Sequence, residues 1–307
     1  MKITIIGSGL IGTSIGLGLR SRGDSLSFED ISESKSAIAQ DLVGDSPLGE
    51  SDLFIIATPI SSVFDSLIDA FEHNPQAMFI EISGLKSDLL AKVASITALS
   101  ERFCATHPMA GREVSGPVAA RADLFQGRSW ILTPTSKTRE EVLQNTEAII
   151  ESLGATPIIR DAKSHDHAIA LVSHLPQVMS SLVGSALVGE SQESIDLAGQ
   201  GLRDVSRLAE SSALLWRDLL IANREELVPL LKKTEEKLRK LIDAIESSDH
   251  QGVEDFLKSG NLGRGRIPGK HGGVQRNYSF LPIVIDDKPG QLAKIVDECA
   301  QVGVNIE

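Results

Sequence analysis

Short apolar runs at 3–6, 26–29, 53–58, 78–82, 102–105, 129–133 and 156–159 punctuate the first half of the chain. Between them lie stretches whose apolar positions recur every three or four residues. Period-two and period-3.6 segments alternating in this way predict strands and helices of a mostly parallel sheet covered on both faces. From about Asp161 the pattern becomes helix alone. Residues 162–190 form a long apolar stretch with Pro176 to kink it, and a further helix carries Trp216. Residues 224–258 read as a charged, amphipathic helix pair suited to packing and subunit contact.

The pattern then breaks. Residues 258–276 hold no acid, five cations and six glycines, the composition of an irregular linker. Those cations lie across an otherwise acidic body, with a phosphate site as the lesser alternative. Residues 278–285 read as a strand, 286–290 as a turn, 291–302 as a helix and 304–307 as the start of another strand. One strand, one helix and the start of a second strand do not bury a core alone, so the segment reads as the beginning of a module. The expected organisation is an α/β domain over 1–160, a helical domain over 161–258, a Gly-rich basic linker over 259–277 and a partial α+β segment over 278–307.

With 307 residues, 41% hydrophobic and 23% charged, the chain has the composition of an ordinary globular protein of two domains or slightly more. Its net charge of -12 argues against a nucleic acid partner, because phosphate backbones are held by clustered Lys and Arg. Cys104 and Cys299 are too few and too far apart for a disulfide framework or a metal cluster, which fits a reducing compartment. No leader precedes the first strand and no apolar run approaches a membrane span. The expectation is a cytoplasmic protein with no membrane partner.

Candidate chemistry begins at the first strand. Gly7-Ser8-Gly9-Leu10-Ile11-Gly12 follows it and opens an apolar helix, the context in which GxGxxG signals dinucleotide binding. Gly7 permits the tight turn, Gly9 lets the backbone approach a pyrophosphate, and Gly12 lets helix and strand pack closely. The helix N-terminus supplies N–H groups and partial positive charge for the phosphates. Asp30 closes the second strand 18 residues past Gly12, close to the spacing of the acid that binds the adenosine ribose. No arginine stands beside it for a 2′-phosphate, so NAD is favoured over NADP. The fold class is therefore a Rossmann-type doubly wound sheet followed by an all-α domain.

Ala57-Thr58-Pro59 ends a strand where a nicotinamide would lie, although Pro59 is equally a first-turn helix proline. After the next strand, Ser83 and Lys86 are within reach of the same crevice; Ser83 is equally a helix cap. His107, in Thr106-His107-Pro108-Met109-Ala110-Gly111-Arg112-Glu113, lies at a strand's end, where open sheets place their chemistry, and titrates near neutrality. The alternative is a structural loop with a surface histidine. His165, His167, His174 and Gln177 lie on the long apolar helix. A metal site is disfavoured, because residues two apart point away from each other and no carboxylate or thiol cluster joins them. A polar ligand in an interdomain cleft would satisfy them. Arg203 and Arg207, four apart, suit a carboxylate clamp with Asp204 able to pair with Arg207; the alternative is a solvated helix face.

Taken together, Gly7–Gly12, His107-Pro108-Met109-Ala110-Gly111 with Glu113, His165-Asp166, Ser173-His174-Leu175-Pro176 and Gly201-Leu202-Arg203-Asp204-Val205-Ser206-Arg207 with Trp216 resemble the prephenate dehydrogenase family, enzymes that act on prephenate or arogenate. The resemblance implies that His107 hydrogen-bonds the substrate's ring hydroxyl and takes its proton. It implies NAD as hydride acceptor, contacted by Gly7, Gly9, Leu10, Ile11, Gly12, Asp30 and Thr58. It makes Arg207 the carboxylate-binding arginine, His165 a pocket histidine, Glu113 a gate, and Arg203, Arg112 and Gln177 further substrate-binding candidates. The helical domain is similar to a dimerisation domain, giving a homodimer. Asp287-Lys288-Pro289-Gly290-Gln291-Leu292 looks like the beginning of an ACT domain, which implies tyrosine as effector of a complete module. The sequence departs from the family at Gly84, where a serine is common; Ser83, one residue early, is the candidate replacement. It departs again at Gln177, which stands in place of a second histidine, and at Arg112, whose added cation favours prephenate, with two carboxylates and no ammonium, over arogenate.

Overall fold

The early apolar runs are strands because both of their faces find a core. The computed structural model describes residues 1–44, 49–112, 114–267, 283–285 and 288–303. In it β1 (Lys2–Ile6), β2 (Ser25–Glu29), β3 (Leu53–Ile56), β4 (Met78–Glu81), β5 (Phe103–Pro108), β6 (Ser129–Thr133) and β7 (Thr156–Ile159) form one sheet in the order β2-β1-β3-β4-β5-β6-β7. Pairing is parallel from β2 through β5 and between β6 and β7. It is antiparallel between β5 and β6, so two strands reverse at the β7 edge of the mostly parallel sheet. The connecting helices are α1 (Leu10–Leu19), α2 (Glu33–Val43), α3 (Val63–His73), α4 (Ser87–Ala94), α5 (Thr97–Arg102) and α6 (Glu140–Ser152).

Alternate side chains of a strand serve opposite faces. Leu53 and Ile55 of β3 join Ile3, Ile15, Val43 and Ile149 in a core under α1, α2 and α6. Phe54 and Ile56 join Phe79, Leu67 and Val93 under α3, α4 and α5. Because β1 lies between β2 and β3, the connections part at its C-terminal end and open the crevice where such sheets take ligands.

The second half is helical. α7 (Ala162–Ile169), a π turn (Ala170–His174) and α8 (Leu175–Ser185) run on from one another. The irregularity expected at Pro176 takes the form of this π turn, with Pro176 in the first turn of α8, where its missing N–H is tolerated. Then come α9 (Gln192–Ile195), α10 (Gln200–Ser206), a 3-10 turn (Arg207–Glu210), α11 (Ala213–Ala222), α12 (Arg224–Glu246) and α13 (His250–Gly265). The 24-residue stretch Ala162–Ser185 contains an 18-residue window with a mean hydropathy of 1.2 and is, by length and composition, long and apolar enough to cross a membrane. That corrects the expectation that no run approaches a span. Its His165, Asp166, His174 and Gln177 are nonetheless buried against the fold, a polar inner stripe that suits a helix packed within a domain.

The chain divides into two units, 1–258 and 259–307. Residues 259–265 are helical, as the end of α13, where an irregular linker is expected. In the second unit α14 (Gln291–Gln301) follows a left-handed Gly290. Residues 283–285 carry no regular structure, contrary to the strand expected there; the rest of that strand and the one at 304–307 lie outside the described residues.

Candidate active site

The glycine loop has the shape its sequence demands. A Cβ on Gly7 would lie 2.5 Å from the Ala57 carbonyl oxygen, and one on Gly12 would lie 2.1 Å from that of Gly7, whereas nothing stands within 4 Å of one on Gly9. Two glycines therefore let the chain close on itself and the third leaves room above the start of α1. Gly9 caps α1 without a side-chain hydrogen bond, and no acid lies in the first turn. The N–H groups and the positive end of the helix dipole are thus left for an anion. Leu10 is buried in the core, so it offers a ligand its backbone only, and Ile11 is half-buried against that core. Asp30 Oδ2 accepts from the Ser8 N–H at 2.8 Å and Oδ1 from the Ser32 N–H at 2.9 Å, which fixes the carboxylate beside the loop. Ser8 Oγ, Thr13 Oγ1 and Thr58 Oγ1 are buried without a partner among the described residues. Buried hydroxyls are normally satisfied, and these belong to the glycine loop, to α1 behind it and to the loop that follows β3. The set fits the pyrophosphate and ribose of a dinucleotide.

At the end of β5 stands a chain of hydrogen bonds. His107 Nδ1 lies 3.0 Å from His165 Nε2, and His165 Nδ1 lies 2.8 Å from Asp166 Oδ1. Asp166 also accepts from the Lys86 N–H at 3.0 Å and the Ser87 N–H at 2.8 Å. Burial pushes the Asp166 carboxyl up, but hydrogen bonds from His165, Ser87 and Lys86 outweigh it and hold it below the usual carboxylate range. An ionised Asp166 only accepts, so His165 places its proton on Nδ1 and presents Nε2 to His107 as the acceptor. His107 then donates from Nδ1, which leaves its Nε2 with a free lone pair. Burial, the Lys86 ammonium and His165 hold the His107 imidazole well below its ordinary value, against the opposing pull of Asp166. The arrangement is that of a neutral base.

Beneath it Lys86 and Glu81 form an ion pair that is almost wholly removed from solvent, with Nζ 2.8 and 2.6 Å from the two carboxylate oxygens. Glu81 also accepts from the Ser83 N–H. Burial pushes the Glu81 carboxyl up and the Lys86 ammonium down, and their mutual attraction opposes both shifts. On the other side Asn223 Nδ2 donates to the Asp166 carbonyl at 2.9 Å and to His174 Nδ1 at 3.2 Å. His174 packs edge-on against Trp216, and burial lowers it to about 4.

The description "Prephenate dehydrogenase, nucleotide-binding domain" matches residues 15–159, and "Prephenate dehydrogenase, dimerization domain" matches 161–259. A probable prephenate dehydrogenase, NovF, of Streptomyces niveus is 30% identical over 314 residues, covering 98% of this chain and 87% of its own. The chain belongs to the prephenate dehydrogenase family. The prephenate dehydrogenase of Lactococcus lactis is 29% identical, covering 96% of this chain and 85% of its own. Among solved structures, the prephenate dehydrogenase of A. aeolicus in complex with hydroxyphenyl propionate and NAD+ superposes with a TM-score of 0.75 at 26% identity, covering 86% of this chain and 97% of that one. The arogenate dehydrogenase of Synechocystis does so at 0.69 and 28%, covering 86% and 99%.

Within this family frame several expected residues stand elsewhere than the sequence suggested. Ser83 Oγ is engaged within its own loop, where it donates to the Leu85 carbonyl at 3.2 Å. A Cβ on Gly84 would sit 4.0 Å from both Cε1 and Nε2 of His107 and 3.3 Å from Leu219 Cδ2, so position 84 is the one turned to the base. Nor does Ser83 cap a helix, since α4 begins at Ser87 and Asp166 caps it from another element. Lys86 is spent on Glu81, and Pro59 lies in the turn before α3, not in its first turn. His165 has both ring nitrogens engaged, which makes it a support for His107 and leaves it no free nitrogen for a substrate. Arg203 and Arg207 do not share a regular helix, because α10 ends at Ser206 and Arg207 opens the 3-10 turn. Arg203 donates to the Ala198 carbonyl at 3.1 Å, and Asp204 accepts from Gln200 at 2.7 Å. Gln177 is buried and donates to the Leu208 carbonyl at 2.9 Å, tying α8 to the Arg207 turn, while its Oε1 finds no partner among the described residues. Arg112 is exposed and donates to the Ala119 carbonyl at 3.1 Å; Glu113 lies outside the described residues. Glu81, Asp166, Asn223 and Leu219 were missed as working parts. Only the acid directly after His165 left a visible signal.

Proposed function

We propose that the chain catalyses the NAD-dependent oxidative decarboxylation of prephenate to 4-hydroxyphenylpyruvate, with release of carbon dioxide, as a step towards tyrosine. The observation that carries this is the His107–His165–Asp166 chain, which leaves a neutral imidazole with a free Nε2 on the strand edge that also holds the glycine-loop crevice. In this reading Nε2 of His107 takes the proton of the ring hydroxyl as charge develops at that oxygen. NAD, bound along Gly7–Gly12 with its ribose on Asp30, supplies the hydride acceptor. Loss of the ring carboxylate as carbon dioxide makes the ring aromatic. Arg207, exposed on the turn that Gln177 fastens, is the proposed carboxylate clamp. The exposed apolar side chains of Leu171, Val172 and Leu182 on the long helix support a homodimer through the helical domain. Two free cysteines support a cytoplasmic location. The ACT-like tail supports tyrosine as effector, and addition of tyrosine to the assay should then slow turnover.

The test is NADH formation from prephenate or arogenate. Wild type is expected to turn over prephenate faster, and His107→Asn to lose on the order of a hundredfold to ten-thousandfold in kcat. If neither substrate yields NADH with wild type, the reading fails. A faster reaction with arogenate assigns the same machinery to the amino-acid substrate, as the likeness to the Synechocystis enzyme allows.

A further inference from the structure

Asp166 belongs to the helical domain but spends its carboxylate on the nucleotide domain as well. Oδ1 takes the His165 Nδ1–H and the Lys86 N–H, and Oδ2 takes the Ser87 N–H, so one carboxylate both orients His165 and caps α4. Its own carbonyl is held by Asn223, which also fixes His174. Asp166 and Asn223 further line a cavity of about 830 Å³ bounded by Phe64, Leu89, Lys163 and Glu226. His107 is not among the cavity's lining residues, so the cavity borders Asp166 on a side away from the base.

We propose that Asp166 is a positioning residue for the reaction: it sets the proton pattern of His165, hence the free Nε2 of His107, and makes that setting depend on contact between the helical domain and α4. It touches neither substrate nor cofactor. The physical logic follows from donor and acceptor counts. Without an obligate acceptor at Nδ1, His165 is as stable with its proton on Nε2. That proton would point at His107 Nδ1 and force the His107 proton onto Nε2, where it blocks the base. Separation of the two domains at α4 would release the same constraint.

This inference rests on the proposed dehydrogenase reading, and its test is arranged so that the two fail separately. Wild type and His107→Asn are compared first, because an inactive wild type sinks the reading itself. Asp166→Asn is then expected to lower kcat about a hundredfold or more, with KM for substrate and NAD binding changed less than about threefold. The groups facing His107 are Lys86 with its partner Glu81 from the β4–α4 segment, His165 and Asp166 from α7, and His174 from the π turn. Of these Asp166 favours a proton on His107, so its neutralisation should move the acid limb of kcat/KM to lower pH. Loss of a helix cap alone would lower stability and leave that limb in place.

Asp166→Ala opens space at the cavity, and formate added to this variant should restore a large part of kcat, whereas chloride should not. In a His165→Gln background Asp166→Asn should cost less than about threefold in kcat, because Asp166 acts through that imidazole. The proposal is overturned if Asp166→Asn keeps kcat and the acid limb of wild type. It is equally overturned if folded, NAD-binding Asp166→Ala is unmoved by formate, or if the Asp166 effect is as large without His165 as with it.

Discussion

Removing one member of the Glu81–Lys86 pair should be far more damaging than removing both. Lys86 Nζ lies 2.8 and 2.6 Å from the two oxygens of Glu81, and both side chains are essentially inaccessible. Lys86→Met leaves a carboxylate in the interior that still accepts from the Ser83 N–H but has lost its charge partner. Breaking a buried pair in this way costs about 3–5 kcal/mol, because the survivor keeps its desolvation penalty and loses its partner. Glu81→Gln with Lys86→Met removes both charges and retains an oxygen for the Ser83 N–H. It leaves the two N–H donors of one neutral amide unpaired, a smaller penalty than that of an ionised carboxylate stripped of its partner. The double variant should thus be more stable than Lys86→Met alone. The assay is urea unfolding followed by Trp130 fluorescence in a Trp216→Phe background, because Trp130 is buried beside this network and donates to Thr106 Oγ1 at 2.9 Å. Thr106 in turn donates to the Glu81 carbonyl at 2.9 Å. Strict additivity of the single effects, or a cost under about 1 kcal/mol for Lys86→Met, would refute the reasoning. The double variant carries a catalytic signature too. Without the Lys86 ammonium a proton on His107 is opposed less, so the acid limb of kcat/KM should rise towards the ordinary histidine range.

Other consequences are more quickly stated. Asp30→Ala should weaken NAD much more than NADP in equilibrium binding, since the lost carboxylate serves the ribose hydroxyls; equal losses would remove Asp30 from the cofactor site. Gly12→Ala should abolish NAD binding and reduce soluble yield, because its Cβ would meet a backbone oxygen at 2.1 Å; Gly9→Ala, with open space around the position, should fold and lose affinity alone. His174 is about 4 in the folded chain against 6.5. The unfolded chain therefore binds this proton first as pH falls, and stability should drop progressively from pH 6.5 to 4. At roughly 1.4 kcal/mol per pH unit that is about 3 kcal/mol, and His174→Asn should flatten the slope measured by urea unfolding across that window.

What was legible in the sequence was whatever depends on local pattern. The strand runs, the glycine loop, the acid at the end of β2 and the change to helix near Asp161 are each fixed by neighbours in the chain, and the α/β sheet and helical domain follow from them. The errors fall where a side chain's partner is remote. Ser83 and Gly84 differ by one position, yet a turn directs one to its own loop and the other to His107, and no periodicity reports that rotation. Arg203 and Arg207 have helical spacing, but the helix tightens between them. Asp166 shows the limit most clearly, since its donors come from positions 86 and 87, some 80 residues earlier. A carboxylate beside a histidine on an apolar helix is ambiguous in sequence; three N–H groups converging on it are not. The cofactor crevice is thus written largely in one stretch of chain. The base is assembled from β5, the β4–α4 segment and α7, so its state depends on how the two domains meet, and substitutions at that seam should alter kcat while the glycine loop still binds NAD.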